Sequence, residues 1–256
     1  MRRFSRKGRS AVAAAVLLLT AALSGSATAE ILGTIDLVHD GYGASNVVDV
    51  WGGGLSEATI GVGLNVLNKS DGTGEGEFWG DGPIGAFCIE LSEAIPEDDI
   101  YPYDVVPVSD AQNPTTFLGG TIGTAKADYI SELWGRFYDP TWAQAGPHLP
   151  VIDDTAAAFA AAIWEIVYED LPGSPASWDV ASDGTAGPLG FKIEGIDVYR
   201  ANTWLHSLDG QGPHADLRAF AYNGAQDFVA QVPEPATIVI LGIGAASLVR
   251  RRRVRQ

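Results

Sequence analysis

Alternation of apolar and polar positions predicts a strand-rich first half of the chain. Between Ala58 and Leu67 the apolar residues fall at every second position, which is the period of a half-buried strand. Clusters of Gly, Asp, Asn and Ser that favour turns separate the predicted strands: Asp40-Gly41, Gly52-Gly53-Gly54 and Ser70 to Gly74. The strands themselves are Ile31 to Val38, Val47 to Trp51, Ala58 to Leu67, Phe87 to Leu91 and Tyr101 to Val108.

The middle of the chain changes to the period of a helix. One apolar stripe consists of Ile130, Leu133, Trp134, Phe137 and Tyr138, and it ends at Asp139-Pro140. A second helix is expected to begin at an N-cap on Asp154 or Thr155 and to end before Leu171. Its stripe consists of Phe159, Ile163, Ile166 and Val167.

A weaker third helix is expected from Ile196 to Leu208, followed by strands from Leu217 to Tyr222 and from Asp227 to Val232. Because the helices stand between strands and do not alternate with them, the pattern predicts a single α+β domain. That domain would have a β-rich first half, two or three inserted helices and late returning strands.

The N-terminal segment has the order of a secretory signal peptide. Five basic residues precede an apolar run from Ala11 to Leu23 and a small-residue run from Gly25 to Ala29. Cleavage by signal peptidase is expected after Ala29, with Ala27 and Ala29 as the small residues it reads. Residues 1–29 are therefore predicted to be removed, and the protein is predicted to be exported.

The C-terminal segment also combines an apolar run with a basic cluster. Val232, Pro233, Glu234 and Pro235 precede the apolar residues 236–249, and an arginine cluster follows. A helix over residues 236–249 would be roughly 21 Å long, which is short for a bilayer crossing of ~20 residues. The cluster, which would hold the tail on the cytoplasmic side, consists of Arg250, Arg251, Arg252, Arg253 and Arg255.

This tripartite end resembles the PEP-CTERM sorting signal of exported bacterial proteins. The resemblance implies that an exosortase cuts near Pro233-Glu234-Pro235, after transient anchoring of the tail in the membrane. It also implies a final location in the cell envelope or extracellular matrix of a bacterium that makes exopolysaccharide. The predicted organisation is a signal peptide at 1–29, a domain at 30–231 and a sorting signal at 232–256.

The charge of the exported part limits its partners. Residues 30–249 contain all thirty-two acidic residues but only six of the sixteen basic ones, a net charge of −26. Such a surface disfavours nucleic acid and anionic membranes, so membrane contact is expected only through the tail. The single cysteine, Cys88, excludes an internal disulfide.

Cys88 belongs to the second resemblance in this sequence. The strand Phe87-Cys88-Ile89-Glu90-Leu91 and the helix from Phe159 to Trp164 resemble paired motifs of the thioester domains of bacterial surface adhesins. In that family a Cys sulfur and a Gln side chain form an internal thioester, which acylates a partner. Ala160 stands at the Gln position of the helix, and the glutamines outside the pattern are expected to be poor substitutes: Gln112, Gln144, Gln211, Gln226 and Gln231.

The sequence therefore favours a non-enzymatic surface or matrix protein with an inactive thioester position, no cofactor and a noncovalent adhesive or structural role. Its partners would be polysaccharide or envelope components. One alternative is a carbohydrate-binding module or hydrolase that uses acidic residues and exposed tryptophans. Another is an active thioester adhesin in which an unmatched Gln reaches Cys88.

Two further groups of mainly acidic residues are expected to be exposed to solvent. Asp71, Thr73, Glu75 and Glu77 alternate in a Gly-rich stretch that could gather oxygen ligands for Ca²⁺, but they lack the ordered loop of a calcium site. A solvated loop without metal is expected there. Glu165 and Glu169 are expected on the exposed face of the second helix.

Overall fold

The structure is a computed structural model that describes residues 29–95, 99–111, 120–182 and 190–234. Its first half contains β1 (Gly33–Gly52), β2 (Leu55–Gly74), β3 (Gly82–Cys88) and β4 (Tyr101–Pro107). The helices α1 (Thr124–Phe137), α2 (Pro150–Tyr168) and α3 (Val198–His206) follow, with the short strand β5 (Lys192–Glu194) before α3. The last elements are β6 (Leu217–Tyr222) and β7 (Ala225–Gln231). The predicted α+β class, with inserted helices and late strands, is confirmed.

The strands form one antiparallel sheet in the order β2-β3-β7-β6-β4-β1-β5. Strand β1 pairs with β2 on one side and with β4 on the other, so the ladder closes into a ring. Strand β5 attaches to the far end of β1 and was missed in the sequence because it is only three residues long. The closure brings β3 next to β7, although the two strands are far apart along the chain.

Strands β1 and β2 are longer than the sequence predicts. Each has twenty residues, and each contains one of the clusters that were expected to separate strands. Asp40-Gly41 lies at irregular register between His39 and Tyr42, where a bulge with Gly41 at φ 101° lets the strand continue. The Ser70 to Gly74 stretch remains paired with the start of β1. Long-range pairing has therefore overridden local turn preference.

Helix α2 begins earlier than predicted. Its first residue is Pro150, a residue suited to the first turn because it has no N–H to leave unpaired. The expected N-cap at Asp154 or Thr155 is wrong, since the acids there serve β1 instead. Asp153 Oδ1 accepts from the backbone N of Ser45 at 3.1 Å, and Asp154 Oδ1 accepts from Asn46 Nδ2 at 2.6 Å.

Helix α2 is the centre of the core and is not amphipathic over its second half. Every residue from 156 to 168 is buried, and its alanines let the helix approach β1 and β2 closely. The predicted exposure of Glu165 and Glu169 is wrong, because each is only 2% exposed. Their carboxylates accept from the backbone N–H of Asp179 at 2.9 Å and of Phe191 at 2.8 Å, respectively. The two side chains therefore hold the segments at Asp179 and Phe191 against the C-terminal end of α2.

The tryptophans proposed as sugar-stacking surfaces are mostly core residues. Trp79, Trp142 and Trp178 are at most 4% exposed, so their faces are not available to a ligand. Trp51 and Trp204 are half-buried: Lys192 covers the ring of Trp51 at 4.5 Å, and Phe137 stacks on Trp204 at 5.0 Å. These five tryptophans therefore do not provide the exposed aromatic surface that the carbohydrate-binding alternative needs.

The residues considered for calcium are used in other contacts. Asp71 Oδ1 accepts from the backbone N of Gly72 at 2.7 Å, and the hydroxyls of Thr73 and Thr34 are 2.8 Å apart. Glu75 is hydrogen-bonded to Arg218. Within the described ranges, no three His, Cys, Asp or Glu side chains are gathered as metal ligands. The Gly-rich stretch is strand followed by a 3₁₀ turn at Glu75–Phe78, not the predicted loop.

Among the described helices, none is long and apolar enough to cross a membrane. The signal-peptide residues up to 28, including Ala27, and the tail from Pro235 through Arg250 to Arg253 lie outside the described residues.

Candidate functional site

The site is built by the register between β3 and β7. Cys88, the last residue of β3, lies opposite Phe228, and the backbone N of Ile89 donates to the carbonyl of Asp227 at 3.0 Å. Opposite residues in an antiparallel pair share a face, and so do residues two apart on one strand. Gln226 is therefore the diagonal neighbour of Cys88 on the same face. A long side chain can span that diagonal.

Gln226 uses this position to reach the cysteine sulfur. Its Nε2 contacts Cys88 Sγ, and it also donates to the Glu90 carbonyl at 2.9 Å. The thiol donates to the same carbonyl, and the backbone N of Glu90 donates back to Sγ at 3.4 Å. Cys88 is 4% exposed and Gln226 7% exposed. A thiol and a carboxamide are thus pressed together in a nearly dry enclosure.

Gln226, which the sequence predicts to be a poor substitute for the helix glutamine, is the glutamine that contacts Cys88. Ala160 is a buried core residue, 1% exposed, and cannot supply an acyl group. Helix α2 contacts the cysteine through Trp164, whose Nε1 donates to the Cys88 carbonyl at 2.9 Å. The only signal for Gln226 was a polar residue beside an apolar strand, and its partner lies 138 positions earlier.

Aromatic side chains hold the strand that carries Cys88. Phe87 is fully buried, and its ring lies 4.9 Å from that of Phe159 and 5.5 Å from that of Trp134. Tyr138 and Trp142 complete this cluster. The sulfur therefore projects from a backbone that packing fixes on the opposite face.

Two tyrosines fix the backbone around the pair. The backbone N of Leu91 donates to the Tyr168 hydroxyl at 2.6 Å, and the Tyr103 hydroxyl donates to the backbone carbonyl of Gln226 at 3.3 Å. The Gln226 backbone N donates to Ala94 at 3.2 Å, so the segment after β3 lies against the start of β7. Both partners of the contact are positioned by groups outside it.

Burial dominates the electrostatics of the site. It raises the pKa of the Cys88 thiol far above its ordinary value, so the sulfur is protonated at neutral pH. Burial, with Asp227 and Glu93 nearby, raises the pKa of Glu90 to about 9. Burial also raises the pKa of Asp227 to about 7. At neutral pH the site therefore holds a neutral thiol and a neutral Glu90 carboxyl.

The turn between β1 and β2 passes close to this site at Gly53. Its backbone has φ 57°, and a Cβ added there would lie 3.0 Å from both Leu91 Cβ and Tyr168 Cε1. We expect Gly53→Ala to lower the free energy of unfolding by roughly 1–3 kcal/mol, through left-handed backbone strain and crowding. Chemical denaturation measures the change.

Gly210→Ala is the matched control, because Gly210 has φ 73° and a methyl group added there would meet no atom within 4 Å. It should show the backbone strain alone. Equal losses for the two variants would mean that Leu91 and Tyr168 move aside without penalty.

Strand β7 leads from the site directly to the end of the domain. The Gln231 side chain accepts from Trp134 Nε1 at 3.0 Å, and its carbonyl accepts from Trp79 Nε1 at 3.1 Å. The backbone N of Val232 still bonds to Asp216 at 2.8 Å, whereas Pro233 and Glu234 are exposed. The predicted sorting motif therefore begins where the packed domain ends.

Comparison with known protein families gives a match over this end of the chain. Residues 231–253 match the PEP-CTERM protein-sorting motif. The protein is accordingly an exported protein that an exosortase processes, held transiently at the membrane by its C-terminal tail. No curated protein and no solved structure matches the chain. The comparisons therefore do not support the resemblance of the central region to thioester domains, which stays a prediction from the sequence.

Proposed function

We propose that this exported protein forms an internal thioester between Cys88 and Gln226 and uses it to attach itself covalently to an extracellular partner. The observation that supports this is the buried contact between Cys88 Sγ and the Gln226 carboxamide. A covalent mode replaces the noncovalent one favoured by the sequence, because that inference depended on alanine at position 160.

The chemistry needs no cofactor and no oxidant. Cys88 Sγ attacks Gln226 Cδ, the Sγ–Cδ bond forms, and the Cδ–Nε2 bond breaks. The departing nitrogen leaves as ammonia and takes up the thiol proton, so the atoms balance. The product is an acyl group on sulfur, which is a covalent electrophile of the kind that enzymes use as an intermediate.

The burial of Cys88 and Gln226 would protect such an electrophile from hydrolysis. Cys88 and Gln226 expose at most 7% of their surface, so bulk water has little access to the thioester carbon. A nucleophile on a partner would attack Gln226 Cδ, form a new amide or ester there, and release the Cys88 thiol. The bond is used once, so the protein acts as an attachment device and not as an enzyme that turns over.

Export and sorting place this chemistry outside the cytoplasm, where the partner would be a molecule of the envelope or the exopolysaccharide layer. The −26 charge of residues 30–249 keeps the mature domain soluble and self-repelling before attachment. The acyl group would then be transferred to the envelope or exopolysaccharide partner, because charge repulsion keeps two molecules of this protein apart.

Intact mass of the folded mature protein tests the proposal. We expect the unaltered protein to be lighter than its sequence by one ammonia, and methylamine to restore the mass with incorporation at Gln226. Peptide mapping identifies the labelled residue. Both effects depend on one thiol and one carboxamide, so Cys88→Ala and Gln226→Ala should each abolish them.

Gln144→Ala is the control, because Gln144 is an exposed glutamine outside the site. It should retain both the mass deficit and methylamine labelling at Gln226. A full-mass unaltered protein that methylamine does not label would overturn the thioester and leave Cys88 and Gln226 as an inert buried pair.

A further inference from the structure

We propose that the Glu90 carboxyl is the proton carrier of the thioester, relaying a proton between Cys88 Sγ and the nitrogen that leaves or enters at Gln226 Cδ. This inference rests on the proposed function. It assigns a chemical task to an acid that is buried two residues after Cys88.

The geometry of Glu90 points to this role. If the β3–β7 ladder continued beyond Cys88, Glu90 would be opposite Gln226, because each step along β3 moves one step back along β7. The strand instead ends at Cys88, and the Glu90 carbonyl turns to accept from both Cys88 Sγ and Gln226 Nε2. Glu90 is thus the residue whose backbone already contacts both reacting groups.

Glu90 is buried two residues after Cys88, and its carboxyl, which accepts from the Glu93 backbone, is incompletely bonded. The residue is 3% exposed, and its Oε1 has no hydrogen-bond partner among the residues that the structure describes. A buried carboxyl oxygen without a partner is costly to keep, and such atoms are often retained for chemistry. Glu165 Oε2 shares these features, but among the described contacts of Cys88 Sγ and Gln226 Nε2 none involves Glu165.

The groups around Glu90 keep it in the form that this task needs. Asp227 and Glu93 add negative charge to the effect of burial, and the pKa of Glu90 is about 9. Burial raises the pKa of Cys88, Tyr103 and Tyr168, and the charge of ionised Glu90 adds a smaller contribution to each. A neutral carboxyl has one O–H donor and a free acceptor, so it can give a proton and take one in the same event.

The relay balances in both directions. As the thioester forms, Glu90 gives its proton to Nε2 and receives the thiol proton from Sγ. When an amine opens the thioester, Glu90 protonates the departing sulfur and is reprotonated from the attacking nitrogen. Neither step changes the net protonation of Glu90, so the buried site need not create a lasting charge.

The rate at which methylamine opens the thioester tests the role, measured by mass against pH and expressed per free amine. For the unaltered protein we expect a constant rate below about pH 9 and a decline above it, as Glu90 ionises and can no longer protonate the sulfur. Glu90→Gln should slow opening by about 10²-fold and remove the inflection, because an amide does not carry a proton.

Glu165→Gln is the matched control, since it also replaces a buried acid whose pKa is raised, to about 8, by burial. It should match the unaltered protein in both rate and inflection. If Glu90→Gln does so as well, while the unaltered protein shows the ammonia deficit, the relay is wrong and the thioester stands. Absence of the deficit in the unaltered protein would instead remove the proposed function.

Should Glu90→Gln fail to accumulate as folded protein, the profile of the unaltered protein decides alone. A rate per free amine that stays level through pH 9 and above would overturn the relay, and a decline there supports it.

Discussion

Opening the Cys88–Gln226 thioester with methylamine is expected to lower the free energy of unfolding by about 5 kcal/mol. The link joins positions 138 apart, so it closes a long loop and restricts the unfolded chain much as a disulfide would. Denaturant titrations before and after methylamine treatment measure the difference. The comparison is clean because both samples have the same sequence.

Cys88→Ala provides the control for this prediction. It has no link to lose, so methylamine should leave its denaturation midpoint unchanged. A sample whose mass confirms opening at Gln226, but whose free energy of unfolding stays within 1 kcal/mol of the closed form, roughly the effect of one hydrogen bond, would contradict the loop-closure argument. The thioester itself would survive that result.

Glu132→Gln is expected to lower the free energy of unfolding by about 3–5 kcal/mol, the usual effect of breaking a buried charged network. Glu132 is fully buried in α1. Its carboxylate accepts from the backbone N of Gly210 at 2.8 Å, of Gly212 at 3.0 Å and of Asp209 at 3.3 Å. Arg136 Nη2 adds a charged partner at 2.6 Å. The glutamine side chain would direct its NH₂ group at these N–H donors in place of one carboxylate oxygen.

The same network predicts the pH dependence of stability. Burial acts to raise the pKa of Glu132, but the hydrogen bonds from Gly210, Asp209, Gly212 and Arg136 outweigh it and lower the pKa below 4.5. The stabilisation is therefore fully present above pH 4.5 and is lost as the pH falls through the lower folded value. Thermal denaturation across this acidic range should show the loss in the unaltered protein and a weaker one in Glu132→Gln.

Glu194→Gln serves as the comparison, because Glu194 pairs with Lys192 on the surface and its side chain is 58% exposed. Its effect should stay within about 1 kcal/mol, as for other exposed ion pairs. A Glu132→Gln variant as stable as Glu194→Gln would show that the loop at 209–212 does not depend on the carboxylate.

The sequence predicted element types better than the contacts between them. Strand β6 has the predicted bounds, and the helix that contains Trp164 lies against the Cys88 strand as its motif suggested. Local patterns carry this information, since periodicity and turn residues act over a few positions. The helical stripe misplaced Glu165, because the segment at Asp179, 14 positions further along the chain, covers that face.

Gln226 shows the limit of such reasoning most clearly. Its importance depends on the register of two strands that meet only when the sheet closes, and no local pattern encodes that register. The motif directed attention to Ala160 on the helix, whereas the strand opposite Cys88 supplied the carboxamide. Pairing information was needed, and the structure provided it.

The path from Gln226 to the tail has a mechanical consequence for an attached protein. Only residues 227–231 separate Gln226 from Val232, where the sequence predicts that the sorting signal begins. If a partner is bonded to Gln226 as proposed, a pull between that partner and the C-terminal end of the domain would run through that side chain and five residues of backbone. The force would not pass through the rest of the domain. The covalent connection would therefore persist even if the domain unfolded.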